Sequence, residues 1–263
     1  MRRLHHRQSV RSPHRAGNRL TMREIAGEAP VKKKARIGDM LMTTGQTVSI
    51  RPITVRQATV ATPCRQSCVI VRDASGSMLG QKEIDALDAC RDLVEVLAAP
   101  GNGDTFRCAV VDFSGSACVV HPLCQARQLA GRLEPMDIGY TTDIAAGLRA
   151  AGSVLNSDQQ PLPPGVRQLA LVIALYSDGG HNESGSPEYE ADCLKQKLGC
   201  TIVTITFGQD ADEDLLRKLA SSPSHFYRAA SGTDLRKLFA RVGRTMSISA
   251  TTGRDPRQAL GGL

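Results

Sequence analysis

A doubly wound α/β fold is predicted for this chain: a mostly parallel sheet with helices on both faces and one antiparallel edge strand. Three observations predict it. Strand-like and helix-like segments alternate from residue 67 onward, the pattern of a parallel sheet whose crossovers are helices. The run Leu169-Ala170-Leu171-Val172-Ile173-Ala174-Leu175 is apolar at every position, as a central strand covered on both faces requires. Thr105–Phe113 and Ala117–Val120 are separated only by Ser114-Gly115-Ser116, a hairpin-sized link that makes this pair antiparallel.

The elements follow in order. Val69-Ile70-Val71 is a short apolar strand. Ile84, Leu87, Cys90, Leu93, Val94 and Leu97 recur at helical spacing, so 81–98 is an amphipathic helix, stopped by Pro100-Gly101-Asn102-Gly103. After the hairpin, Ile144, Ala145, Leu148, Ala151, Val154 and Leu155 mark a second helix. Pro161-Leu162-Pro163-Pro164-Gly165 is a loop before the apolar central strand. A helix over 188–198, a β-branched strand from Thr201 to Phe207 and a helix near 212–220 come next. Phe226-Tyr227 is a short edge strand. Leu235, Leu238, Phe239 and Val242 build the last helix, with Asp234 near its start.

Composition divides the chain. Residues 1–36 hold eleven Lys/Arg and two Glu, so of the overall charge of +7 the remainder carries −2. We read residues 1–38 as a basic, disordered tail and 39–66 as a small β-type extension. The main domain is 67–248, and 249–263 is a flexible C-terminal tail. Aromatic residues make up 3% and Trp is absent, so the core must be aliphatic. No stretch reaches the roughly 18 consecutive apolar residues of a membrane span. The charged N-terminus has no apolar segment behind it, so no secretory signal is read. Eight cysteines then fit a reducing cytoplasm as free thiols. Cys64-x-x-x-Cys68 is alternatively half a metal site or a disulfide, but no second tight pair completes a zinc pattern.

Chemistry concentrates in three short motifs. Asp73-Ala74-Ser75-Gly76-Ser77 leaves the first apolar strand with one carboxylate and two hydroxyls at i, i+2 and i+4. Gly139-Tyr140-Thr141-Thr142-Asp143 places hydroxyls just before a helix. Leu175-Tyr176-Ser177-Asp178-Gly179 places a carboxylate just after the most apolar strand. Oxygen donors of this kind suit hard divalent cations. Singly, each motif also reads as a turn or a helix cap; sheets of this class bind ligands where such loops meet, at the C-terminal ends of the strands.

Together, in this order and spacing, the motifs resemble the metal-ion-dependent adhesion site of von Willebrand factor A domains, over about residues 67–245. The resemblance implies that Asp73, Ser75, Ser77, Thr142 and Asp178 hold Mg²⁺, or Mn²⁺, with Thr141 the neighbouring alternative to Thr142 and Asp178 often acting through water. It implies that a Glu or Asp of a partner protein completes the coordination. Two departures stand out. Arg72 precedes Asp73 where the family usually has an aliphatic residue; it either pairs with an acid such as Asp112 or adds a positive charge at the partner surface. Tyr140 stands where Gly is common and forms a wall of that surface. His181, just past Asp178, either touches a partner or is a plain loop residue.

The chain therefore reads as an intracellular, cytoplasmic, non-enzymatic interaction module. It looks most like stand-alone bacterial proteins of this family, some associated with tellurite-resistance-type systems, and so like an adaptor in signalling or stress defence. Two other classes compete. A metal-dependent phosphohydrolase would need His181 as its only nearby acid–base group, with no Ser-His-Asp order and no P-loop in support. A nucleic-acid contact through residues 1–36 would be weak and salt-dependent, a secondary role at most.

Overall fold

Val69, Ile70 and Val71 lie in the middle of a ten-residue strand, β1 (Cys64–Asp73), at the centre of the sheet. The structure is a computed structural model and describes residues 63–158, 161–209 and 211–261. β1 runs parallel to β2 (Phe106–Phe113) on one side and to β5 (Val172–Ser177) on the other. Beyond β5 the sheet continues in parallel through β6 (Thr201–Phe207) to β7 (Phe226–Ala229). At the opposite edge β3 (Ala117–Gln125) is antiparallel to β2, as the short link between them demands. The order is β3-β2-β1-β5-β6-β7, and the two-residue β4 (Arg167–Gln168) pairs with the start of β1.

Alternation along β1 assigns its two faces. Cys68 and Ile70 join a core with Leu93, Phe239 and Met246, under α1 (Gln81–Leu97) and α6 (Gly232–Thr252). The short helices α2 (Ala126–Leu129) and α7 (Pro256–Leu260) close this side. Val69 and Val71 join Ile144, Leu148 and Leu216 on the other side, under α3 (Ile144–Asn156), α4 (Pro187–Lys197) and α5 (Glu213–Leu219). Each such side chain, moved from water into either core, contributes about 1.5–3 kcal/mol. Gly147 sets how closely α3 approaches: a Cβ there would lie 2.9 Å from the Phe113 ring and 3.1 Å from Val71. A larger residue would push the start of α3 away from the ends of β1 and β2.

The chain passes from β1 outward to β2 and β3, then returns to β5 on the other side. The strand ends of β1 and β5 therefore flank the point where the winding reverses, the standard position for a ligand crevice in such sheets.

Several boundaries differ from expectation. β1 begins at Cys64, so the end of the segment assigned to a separate β extension belongs to the main sheet. The expectations for the basic tail and for the rest of that extension fall on residues 1–62, outside the described residues. The central strand is shifted, because Leu169 instead donates its amide to the Arg65 carbonyl at 2.8 Å beside β4. β3 runs on past Val120 through Pro122 to Gln125, which an edge strand tolerates because one of its sides needs no donor. The C-terminal segment is not a flexible tail as far as it is described: α6 continues to Thr252, and α7 folds back to bury Leu260 completely. No helix among the described residues is long and apolar enough to cross a membrane.

Candidate metal centre

Asp73 ends β1, and Ala74-Ser75-Gly76-Ser77 carries the chain off the sheet into a single 3-10 turn, Gly76–Met78. The turn folds the loop back on its own carboxylate. Asp73 Oδ1 accepts the Ser75 amide at 2.9 Å, and its Oδ2 accepts the Ser177 hydroxyl from the end of β5. The Ser75 and Ser77 hydroxyls are 3.1 Å apart. Ser77 donates in turn to Asp178 Oδ1 at 2.6 Å. The expected first and third loops are thus joined by a continuous run of hydroxyls and carboxylates.

The second loop arrives ahead of α3. Gly139 donates its amide to the Ala74 carbonyl at 2.8 Å, which ties the second loop to the first. Thr142 and Asn182 bond reciprocally, the Thr142 amide to Asn182 Oδ1 at 2.8 Å and the Asn182 amide to the Thr142 carbonyl at 3.1 Å. Asp143, not Thr142, caps α3, accepting the Ala146 amide at 2.9 Å. The capping role that Thr142 was open to on sequence grounds is therefore taken. Its hydroxyl turns toward Gly179: a Cβ at Gly179 would lie 3.7 Å from Ser77 Oγ and 3.8 Å from Thr142 Oγ1. Glycine keeps open a small cradle between the two hydroxyls.

Asp73, Ser75, Thr142 and Asp178 are buried, while Ser77 is exposed. Burial raises the Asp73 carboxyl above the ordinary aspartate range; hydrogen bonds from Ser177 and Ser75 oppose this, and the nearby Asp178 charge adds to it. Two buried acids at one rim, with three hydroxyls, form the all-oxygen donor set that a hard divalent cation takes. No group of three or more His, Cys, Asp and Glu side chains suited to a metal occurs among the described residues. A cation here would depend on the hydroxyls as well as on the two acids.

The remaining candidates separate. Tyr140 is 99% exposed and Leu79 is 70% exposed, beside the Asp73 loop. Thr141 is half-buried, its hydroxyl 2.6 Å from where a Cβ on Gly115 would stand. The His181 side chain keeps only 11% of its surface; Nδ1 lies 3.9 Å from Asp143 Oδ1, and neither ring nitrogen makes a hydrogen bond.

Arg72 corrects the reading that put its charge at the partner surface. Strand alternation turns it away from Asp73, under α1, where it is wholly buried. It grips its register partner Asp112 with two hydrogen bonds of 2.6 and 2.8 Å and donates to the Glu134 carbonyl at 3.0 Å. All eight cysteines are free, so the Cys64–Cys68 disulfide is excluded. Burial pushes the Cys68 thiol up to about 12, which makes it an inert core residue.

Sequence reasoning missed Lys82, Ser177 and Asn182. Lys82, in the first turn of α1, places its ammonium on Asp178 Oδ2. Ser177 and Asn182 flank Asp178 and were visible as polar residues, but nothing local marks which neighbour they bind.

A model of the von Willebrand factor type A domain matches residues 68–241. No curated protein matches the chain. Among solved structures it is similar to proximal thread matrix protein 1 of the mussel byssus with a zinc-occupied MIDAS motif, at 24% identity and a TM-score of 0.58, covering 72% of this chain and 47% of that one. It is similar to the von Willebrand domain of the type V pilus tip protein Mfa5 of Porphyromonas gingivalis, at 16% identity and a TM-score of 0.59, covering 72% and 97%. The ArnB paralog VWA2 of Sulfolobus acidocaldarius matches at 19% identity and a TM-score of 0.51, covering 69% and 45%. These likenesses show the fold, and the chain spans under half of the mussel protein's solved length.

Proposed function

This chain belongs to the von Willebrand factor type A family, and from that premise we propose that it is a metal-dependent protein–protein interaction module without catalytic activity. The observation that carries the reading is the cradle at Gly179: Ser77 and Thr142 present hydroxyls to it from separate loops, and Asp178 and Asp73 are hydrogen-bonded into the same run. Asp73, Ser75, Ser77, Thr142 and Asp178 would hold a divalent cation, Mg²⁺ or Mn²⁺. Bound there, it would supply an incompletely ligated positive charge that selects a carboxylate.

The chain's own residues do the rest. Ser177 and the Ser75 amide orient the Asp73 carboxylate. Asn182 locks the Thr142 backbone so that its hydroxyl, not its amide, is left for the site. Tyr140 and Leu79 offer apolar contact on the rim to a partner that presents Glu or Asp. An exposed aromatic at such a rim gives contact area at little entropic cost. Thr141, half-buried beside Gly115, lies at the inner side of that rim. An adaptor role in a bacterial signalling or stress system fits this reading.

The test is a pull-down with the full chain in Mg²⁺, in EDTA, and with Asp73→Ala in Mg²⁺. A partner held in Mg²⁺ and released in the other two conditions supports the reading. A partner held equally in all three overturns the metal bridge.

A further inference from the structure

Lys82 sits where helix electrostatics argue against it. It is the second residue of α1, where the helix's partial positive charge disfavours a cation. Yet its side chain is drawn inward to Asp178 Oδ2, while Ser77 holds Oδ1 of the same carboxylate. The loop after β6 runs alongside it: a Cβ on Gly208 would stand 3.5 Å from Lys82 Nζ and 3.6 Å from Cε, an ordinary packing distance. The Lys82 side chain is about one-third exposed, so it answers the buried acid without being sealed from solvent. Of the other acids near this end of the sheet, Asp143 has Arg149 at 3.8 Å, Asp212 caps α5, and Glu183 lies on the Thr141 side, beside Gly115.

We propose that Lys82 is a specificity-determining residue of this site: by holding a positive charge on Asp178, it weakens the grip on a divalent cation and strengthens the loaded site's grip on a carboxylate. The inference rests on the metal-dependent reading above. Charge balance gives its direction. Asp73 and Asp178 with Lys82 leave one net negative charge. A divalent cation turns that to one positive, and a single partner carboxylate brings it to zero. Without Lys82 the loaded site would already be neutral, and a carboxylate would leave it negative. Lys82 therefore makes cation and carboxylate interdependent, so that neither is held tightly alone.

Calorimetric titration of Mn²⁺ into the unaltered chain, Lys82→Met and Lys82→Arg tests this. Acetate binding to each Mn²⁺-loaded protein is read from relaxation of the acetate methyl protons. Lys82→Met is expected to bind Mn²⁺ about tenfold more tightly and acetate several-fold more weakly. Lys82→Arg, which keeps the charge, should track the unaltered chain. Lys82→Gln repeats the neutral substitution should Lys82→Met fold poorly. An unchanged or weakened Mn²⁺ affinity in the neutral variants, or an unchanged acetate affinity, overturns the proposal. If the unaltered chain takes up no Mn²⁺ at all, the failure belongs to the metal-binding reading instead.

Discussion

Arg72 and Asp73 are neighbours on one strand, and they bury charge in opposite ways. Arg72 points under α1 and is closed off by Asp112, with two hydrogen bonds and no solvent. Asp73 points to the other side of the sheet end, where the Ser177 hydroxyl and the Ser75 amide answer it. Its companion acid Asp178 does have a cation, the Lys82 ammonium, but one carried on a partly exposed four-carbon side chain. The first arrangement spends its charge inside the fold. The second leaves charge that a ligand can use. The same secondary structure supports both, because successive residues of a strand face opposite ways.

The largest expected effect breaks the closed arrangement. Arg72→Met leaves Asp112 buried without its partner, and should cost roughly 3–5 kcal/mol in urea unfolding. The double variant Arg72→Met/Asp112→Leu should recover most of that loss; a double variant no more stable than Arg72→Met would mean the ion pair is not the cause. The open arrangement should respond to solution conditions instead. Mg²⁺ at about 100 times its dissociation constant should stabilise the chain by about 2.7 kcal/mol, and EDTA should abolish the gain. Asp73→Asn should fold but show no such response in thermal melts.

Smaller effects sharpen the contrast. Thr142→Ala should weaken cation binding about tenfold, or about 1.4 kcal/mol, without loosening α3, because Asp143 provides the cap. A matching loss of helix stability, read by circular dichroism, would reassign Thr142 to a structural role. The smallest effect is on pH. The Asp73 and Asp112 carboxyls are both raised above 3.8 by burial, so the folded chain binds more protons than the unfolded chain just above that pH. In EDTA, their contribution to stability should therefore fall as pH rises from 3.8 through their folded values. Comparing Asp73→Asn with the unaltered chain isolates the Asp73 part, and an unaltered chain that gains stability over this range relative to the variant would contradict it.

Much of this site was legible because its donors are local signals. Asp73, Ser75 and Ser77 lie within five residues at a strand end, and Thr142 and Asp178 each sit at a strand or helix boundary that periodicity locates. Lys82 was not legible, since its partner is 96 residues away and only the tertiary fold brings the start of α1 beside the end of β5. The burial of Arg72 was available in principle: period-two alternation already set it opposite Asp73, and Asp112 is its register partner on β2. α7 escaped notice because its five residues carry a single large apolar anchor, Leu260, too little for a periodic signal. Pro122 concealed the length of β3, since proline reads as a breaker everywhere except at a sheet edge.

The fold-back of α7 also bears on how the protein must be handled. Its backbone receives the ring of His225, whose Nε2 lies 2.9 Å from the Arg257 carbonyl, and the hydroxyl of Tyr227, which donates to the Leu260 carbonyl. These residues lead into and form the outermost parallel strand. A chain shortened at residue 248 would lose both contacts, the last turn of α6 and the buried Leu260, and so uncover apolar core to solvent, the kind of surface that favours self-association. Where this domain is cut is therefore a decision about solubility.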